Sequence, residues 1–405
     1  MSHVFPSGSR ADAFRRIIPN LIAFFRHPLA LAVGLTFAAD SLMFGSWVTL
    51  IPFVKNKLAL GDGALGIALF GMPLGLLLMN PVSPWLLRRF GLVPVTVWST
   101  VSMAVSFALP VWMPDRWSLF GALVLVGMSV AVMNVGMNTC ATDIEESEGR
   151  KIMSTCHGMW SFGGMTGSAL SAALLRAGGF PPVYISMLAV IVVLFALLWL
   201  RPVLAQISPA AHDEGGGSGF ALPKGDLLLM ILIGACTSLC EGVAFDWSAV
   251  YLHEQLGAPE ALAALGFTAF SLCMMAMRFA GDALLPFFGE RRLLWFTLLM
   301  SFVALLITIV APNPYIGIAG YALLGAGVAL GAPILFNAAA RVPGFAPGAG
   351  LATYATFSFM GFLLGPPAIG LISEQFGLPR GFLTVAALTL LVSAAIRPIS
   401  CLRDA

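Results

Sequence analysis

RPVLAQISPAAHDEGGGSGFALPKGD, residues 201 to 226, is the longest polar interruption in a chain of 405 residues. Its core, HDEGGGSG, joins small flexible residues to charges and reads as a linker. On both sides of it the sequence is oily. Hydrophobic residues make up 59% of the chain and charged ones 10%, a balance that excludes an ordinary soluble domain. Apolar runs of about 20 residues, the length at which an α-helix crosses a bilayer, recur from residue 28 to residue 398. Breaks at Gly, Pro and charge set the spans at 28–54, 63–87, 92–112, 117–142, 152–175 and 182–200 before the linker. After it they fall at 225–251, 261–285, 293–311, 314–340, 348–373 and 380–397. The predicted organisation is a tail over 1–27, a six-helix bundle over 28–200, a linker over 201–224, a second bundle over 225–398 and a tail over 399–405.

Charge placement orients these spans. With the amino terminus inside, the cytoplasmic segments carry Arg10, Arg15, Arg16, Arg26, Arg88, Arg89, Arg150, Lys151, Arg201, Lys224, Arg291, Arg292, Arg341, Arg397 and Arg403. The opposite side carries only Lys55, Lys57, Arg116, Arg176 and Arg380. That asymmetry predicts both termini in the cytoplasm of a multi-pass protein of the bacterial inner membrane. The run ahead of the first span lacks a small-residue cleavage site and reads as a retained tail. Because topology accounts for the positive charge, no nucleic-acid partner is expected. Cys140, Cys156, Cys236, Cys240, Cys273 and Cys401 lie in spans or on the cytoplasmic side, which argues against a disulfide framework. Cys236 and Cys240 are four apart, a spacing that also suits thiolate ligation, but with no matching His or Cys pair nearby they read as packing residues.

The halves repeat. An offset of about 200 pairs Trp47 with Trp247, Gly91 with Gly289 and Asn138 with Asn337. It also sets HGMWSFGG (157–164) against YATFSFMG (354–361), with His157 opposite Tyr354. The fold class is therefore an all-α membrane protein of twelve transmembrane helices in two parallel six-helix repeats. This plan resembles the major facilitator superfamily over the whole chain. Four stretches are more narrowly similar to the bacterial YbjJ/MosC-type permease group: GSWVTLIPFVKNKLAL (45–60), MNTCATDIEESEGRKIMSTCHGMWSFGG (137–164), EGVAFDWSAVYL (241–252) and MRFAGDALLPFFG (277–289). The resemblance implies a secondary transporter working by alternating access. One signature departs: the superfamily loop Gly-x-x-x-Asp-(Arg/Lys)-x-Gly is here PWLLRRFG (84–91), with Arg88 at the Asp position. Either Glu145 or Glu146 pairs with Arg88 or Arg89 as an inner gate, or all four are ordinary interfacial charges.

Few polar residues lie within the hydrocarbon. Asp40 sits near mid-depth in span one, and Trp47, seven residues on, shares its face. An intramembrane carboxylate is a functional candidate by default, and a proton carrier needs one that loads and unloads near neutral pH. Glu241 aligns with Asp40 and Ser41 in the repeat and is the second proton-coupling candidate. Asp246 is five residues further, about 140° round a helix, so the two acids are expected on different faces unless Gly242 breaks the helix. Asp246, beside Trp247, then reads as an outer-gate or packing residue. Asn134 and Asn138 share a stripe and suit hydroxyls of a neutral solute, or else bind helix to helix. His157 and Trp160 in span five, Tyr354 as the repeat counterpart of His157, and Asn337 of span ten as that of Asn138 complete the candidate substrate lining alongside Trp47 and Trp247. Arg278 and Asp282, at i and i+4, are expected to neutralise each other. The runs GGMTG (163–167) and GAGVALGAP (325–333) read as close-packing faces.

Midplane acids in both halves predict proton-coupled symport of a small polar solute, sugar- or polyol-like, by a monomer in the bilayer. The competing reading is a proton-coupled efflux antiporter of amphipathic or toxic compounds. No cofactor or metal is expected, and with neither nucleophile–base nor metal-ligand constellations the chain is not read as an enzyme.

Overall fold

Within a bilayer an apolar run must satisfy every backbone N–H and C=O internally, which selects helices. The computed structural model describes residues 21–149, 151–207, 223–343 and 349–404, with the side chains of Asp282, Ala283, Pro286 and Ala352 excepted. Most of the amino-terminal tail, the HDEGGGSG linker core and Arg150 lie outside these ranges. Among the described residues the chain forms twelve long helices and no strand. They are α1 (Pro28–Lys57), α2 (Asp62–Met79), α3 (Leu92–Trp112), α4 (Arg116–Glu148), α5 (Met153–Arg176) and α6 (Pro181–Leu204). The second half contributes α7 (Asp226–Glu254), α8 (Glu260–Gly281), α9 (Phe287–Ile309), α10 (Pro314–Ala339), α11 (Ala349–Phe376) and α12 (Leu378–Ile396). All but α5 are long and apolar enough to cross a membrane. α5 has the length, but Ser, Thr, Gly and His crowd its first half.

Local chemistry sets the boundaries. Asp115 opens α4 with a capping box, its carboxylate accepting from the amides of Trp117 (2.9 Å) and Ser118 (3.1 Å). The span expected at 63–87 is instead two pieces. α2 stops at Met79, residues 80–82 turn, and a short helix runs Ser83–Phe90. Pro81 and Pro84 supply no amide donor, so one ladder ends and the next starts there. Gly91 then reverses the chain at φ 89°, ψ 152°, and its repeat counterpart Gly289 does the same at φ 73°, ψ 163°. Only glycine holds that backbone without strain. The same conformation at the same place in each half is a structural trace of the duplication.

α5 lies tightly on α1. A Cβ at Gly163 or Gly167 would strike the carbonyl oxygens of Ala38 and Leu42, so the GGMTG run is the contact surface that its small residues suggested. The halves meet where α1, α2 and α5 pack against α7, α8 and α11. There Ser168 donates to the Ala264 carbonyl (2.8 Å) and shares a hydrogen bond with Thr268 (2.6 Å). Cys236 and Cys240 both approach the Thr389 hydroxyl, at 3.4 and 3.2 Å, as small groups packed between α7 and α12.

Candidate functional site

A cavity of about 530 Å³ lies between the halves. Its wall is built from helical stripes. α1 presents Phe37, Asp40, Phe44 and Trp47, at the three- and four-residue steps of one helix face. α2 presents Leu69, Met72, Pro73 and Leu76, with Asn80 just past its end, and α4 presents Leu123, Val130, Asn134 and Met137. α3 adds Phe107 and α5 adds His157 and Trp160. From the second half come Glu241, Phe245 and Asp246 of α7, Arg278 of α8, Phe336 of α10, and Phe359, Phe362 and Pro366 of α11.

Asp40 is buried, and its Oδ2 accepts a 2.9 Å hydrogen bond from the Trp160 indole. Its Oδ1, equally enclosed, has no hydrogen-bond partner among the described residues. Trp160 in turn stacks on Phe44, with ring centres 6.2 Å apart and planes 29° apart. Phe44 meets Phe245 edge to face at 5.1 Å, and Phe245 stacks on Phe362 at 5.7 Å and 13°. One carboxylate is thus tied directly into an aromatic wall that both halves share.

α7 presents both acids to this cavity. As expected for an unbroken helix from Asp226 to Glu254, Glu241 and Asp246 point about 140° apart, yet both line the cavity, so Asp246 is not set apart from it as an outer-gate or packing residue. The cavity wraps around the helix: Phe245 lies between the two in the lining, and an arc wide enough to span 140° takes in all three. Asp246 is therefore a cavity residue. Arg278 also lines the cavity and lies within electrostatic reach of Glu241 and His157. Its expected partner Asp282 has a side chain outside the described residues. His157 faces the cavity with its ring edge-on to Phe37 at 5.2 Å.

The remaining candidates separate. Asn134 lines the cavity, and Asn138, one turn further along α4, donates to the Asn134 carbonyl (2.8 Å) and to its Oδ1 (3.1 Å). Trp47 lines the cavity, but its counterpart Trp247 is fully buried elsewhere in the core, its indole N–H without a partner among the described residues. Tyr354 is buried behind the wall, edge-on to Phe336 at 5.0 Å, and Asn337 is exposed outside the lining, to which its neighbour Phe336 belongs. Repeat position places a helix more faithfully than it places a side chain. Glu145 accepts from the amides of Ile152 (2.6 Å) and Met153 (2.8 Å) and so caps the start of α5. Glu146, Arg88 and Arg89 are exposed, and among the described residues no ion pair joins either arginine to either glutamate.

On the side opposite the termini the halves are tied by charge. Lys55, at the end of α1, meets Asp62 at 2.6 Å and Glu254 of α7 at 2.6 Å, and it is buried. Glu374 of α11 accepts from the Gly63 amide at 2.8 Å. In the sequence Lys55 reads as a topological charge, and the phenylalanine lining stands beyond the candidates named from polar and indole residues. Two signals were available: Phe37 and Phe44 share the face of Asp40, and Lys55 and Glu254 are separated by the repeat offset.

The sequence pattern of the Major Facilitator Superfamily matches residues 29–281 and 227–400. The chain belongs to that superfamily. This transporter is 31% identical over 373 residues to an uncharacterized transporter of Sinorhizobium fredii, spanning 91% of this chain and 97% of that protein. It is 29% identical over 365 residues to the membrane protein MosC of Rhizobium meliloti, spanning 90% and 88%. Among solved structures the nucleoside transporter NupG superposes with a TM-score of 0.76 at 10% identity, over 92% of this transporter and 100% of that chain. The fold is shared; that identity carries nothing about the solute.

Proposed function

We propose that this transporter moves a small polar solute, sugar- or polyol-like, across the bacterial inner membrane together with protons, with both termini cytoplasmic. The observation that carries the reading is Asp40: a buried carboxylate on the cavity wall, half satisfied by Trp160 and half without a partner. Intramembrane acids in such surroundings are characteristic of proton relays. Glu241, at the matching depth of the second half, is the other proton-coupling candidate. Asn134, steadied by Asn138, offers donor and acceptor to hydroxyls, and His157 offers a third polar contact. The stacked rings of Phe44, Trp160, Phe245 and Phe362 suit the apolar face of a ring-shaped solute. The ion pairs about Lys55 close the outward side in this conformation, and alternating access requires them to open.

A second reading keeps one observation in its favour. The aromatic richness of the wall, set beside Asp40, Glu241 and Asp246, also suits efflux of amphipathic cations by proton antiport.

Proteoliposomes under an imposed pH gradient separate the two. Sugars or polyols driven inward with the proton gradient are the expected result; lipophilic cations driven against it, with no solute uptake, would replace the proposal by the second reading. Asp40→Asn and Glu241→Gln are each expected to abolish gradient-driven accumulation while sparing counterflow exchange. Full accumulation in both variants would remove these carboxylates from coupling.

A further inference from the structure

A second concavity, about 590 Å³, lies on the outer surface between α2, α3, α4 and the short helix Ser83–Phe90. It shares no lining residue with the central cavity. Its wall runs from Met79 and Phe90 past Pro94 and Trp98 to Ser102 and Ser129. The two serine hydroxyls hydrogen-bond each other at 2.7 Å and so ask nothing of a ligand. Trp98 is 61% exposed and Phe90 58%, large apolar faces left uncovered by protein.

Depth and charge together say what covers them. From Pro94 to Ser102 the groove follows α3 for about 12 Å at 1.5 Å per residue, close to the span of one leaflet in a hydrocarbon core of about 30 Å. Water does not fill an apolar concavity at that depth, so an acyl chain does. At the groove's mouth lies the short helix, between the end of α2 and the start of α3 and hence at the membrane boundary on the terminus side. Leu86 and Phe90 face the groove while Arg88 and Arg89 are exposed. The Arg89 guanidinium sits 5.8 Å from the centre of the Phe90 ring, which places its charge at the groove's edge. Neither arginine pairs with a carboxylate among the described residues. The position at which the superfamily loop carries an aspartate is here cationic.

We infer that this groove is a binding site for an anionic phospholipid of the terminus-side leaflet, with one acyl chain along α3 and the phosphate held by Arg88 and Arg89. Two basic groups at a membrane surface favour an anionic headgroup by about fivefold each.

Native mass spectrometry of the full-length protein in detergent, titrated with phosphatidylglycerol or chain-matched phosphatidylcholine, tests this. The expected result is one phosphatidylglycerol retained roughly five- to twenty-five-fold more tightly than phosphatidylcholine, the range from one arginine contact to two. Joint Arg88→Gln and Arg89→Gln should reduce that ratio to about one, since two cationic contacts are lost. Ser102→Trp, which fills the groove and leaves the arginines, should weaken retention of phosphatidylglycerol. Equal retention of the two lipids by the wild type overturns the proposal, as does an undiminished ratio in the arginine variant. Undiminished retention in Ser102→Trp overturns the acyl-chain site. Displacement of the lipid by millimolar glycerol phosphate would show a free-anion site and overturn the lipid assignment.

Discussion

Asp40 and Trp160 act on each other through one hydrogen bond, and that bond differs between the two protonation states of the acid. A carboxylate accepts from the indole N–H as a charge-assisted bond worth about 1.5–3 kcal/mol; a neutral acid accepts more weakly. Loading a proton on Asp40 therefore loosens Trp160, and with it the ring stacked on Phe44 at 6.2 Å. Trp160→Phe keeps an aromatic ring and removes the donor, so it isolates this link. Gradient-driven accumulation should fall about tenfold or more, while the half-saturation for counterflow changes far less. A loss confined to counterflow affinity would instead make Trp160 a plain contact residue. Asp40, Glu241, Asn134, His157, Trp160 and Trp47 were all legible as cavity candidates because polar and indole side chains are rare in lipid-soluble helices. Phe245 and Phe362 were not, and Phe37 and Phe44 only through the face they share with Asp40, since a phenylalanine facing a cavity and one facing lipid look alike in sequence.

At the scale of helices the governing feature is how closely α5 lies on α1. Gly163 and Gly167 repeat every four residues and meet the backbone of Ala38 and Leu42, leaving no room for a side chain. Without a hydrophobic drive between helices in lipid, such backbone contact is what holds them together. It also sets the distance at which Trp160 of α5 reaches Asp40 of α1. Gly167→Val should lower the thermal unfolding midpoint in detergent by an amount corresponding to about 1–3 kcal/mol, the usual range for overpacking. Gly121 of α4 has open space around it, so Gly121→Ala should not lower the midpoint and, alanine being the better helix former, should raise it slightly. An unchanged midpoint for Gly167→Val would mean that the α1–α5 contact yields cheaply. The helices themselves were legible from hydropathy, and the small-residue runs marked the packed faces. The early end of α2 at Met79 was missed because a hydropathy window runs across Pro81 and Pro84 without registering two missing amides.

For the whole molecule, duplication explains which residues meet across the middle. α1 and α7 pack against each other as repeat counterparts, so residues at matching heights come face to face. Phe44 touches Phe245, Asp40 and Glu241 share one cavity, and Lys55 binds Glu254, each pair about 200 residues apart as the parallel repeats dictate. The offset was legible in sequence; which of its pairs make contact was not, because rotation of each helix about its axis is fixed only by packing. Trp247, buried, and Asn337, exposed, lie outside the cavity lining for that reason. The Lys55 pair has the largest mechanical consequence, since it joins the halves on the side that must open for transport. Lys55 is buried while Glu254 is partly exposed, so discounting for screening leaves about 2 kcal/mol, or a roughly thirtyfold shift in the closed-to-open ratio if the pair is broken. Spin labels on Asn56→Cys and Gln255→Cys, with the native cysteines replaced, would report the separation of α1 and α7 at that end. Lys55→Met should transfer a large share of the short-distance population to longer distances, whereas Lys55→Arg should retain it. An unaltered distribution in Lys55→Met would assign closure to the neighbouring contact of α2 with α11, where Gly66 abuts Gly370 and the Pro366 carbonyl, and would reduce the buried lysine to a local tie for Asp62.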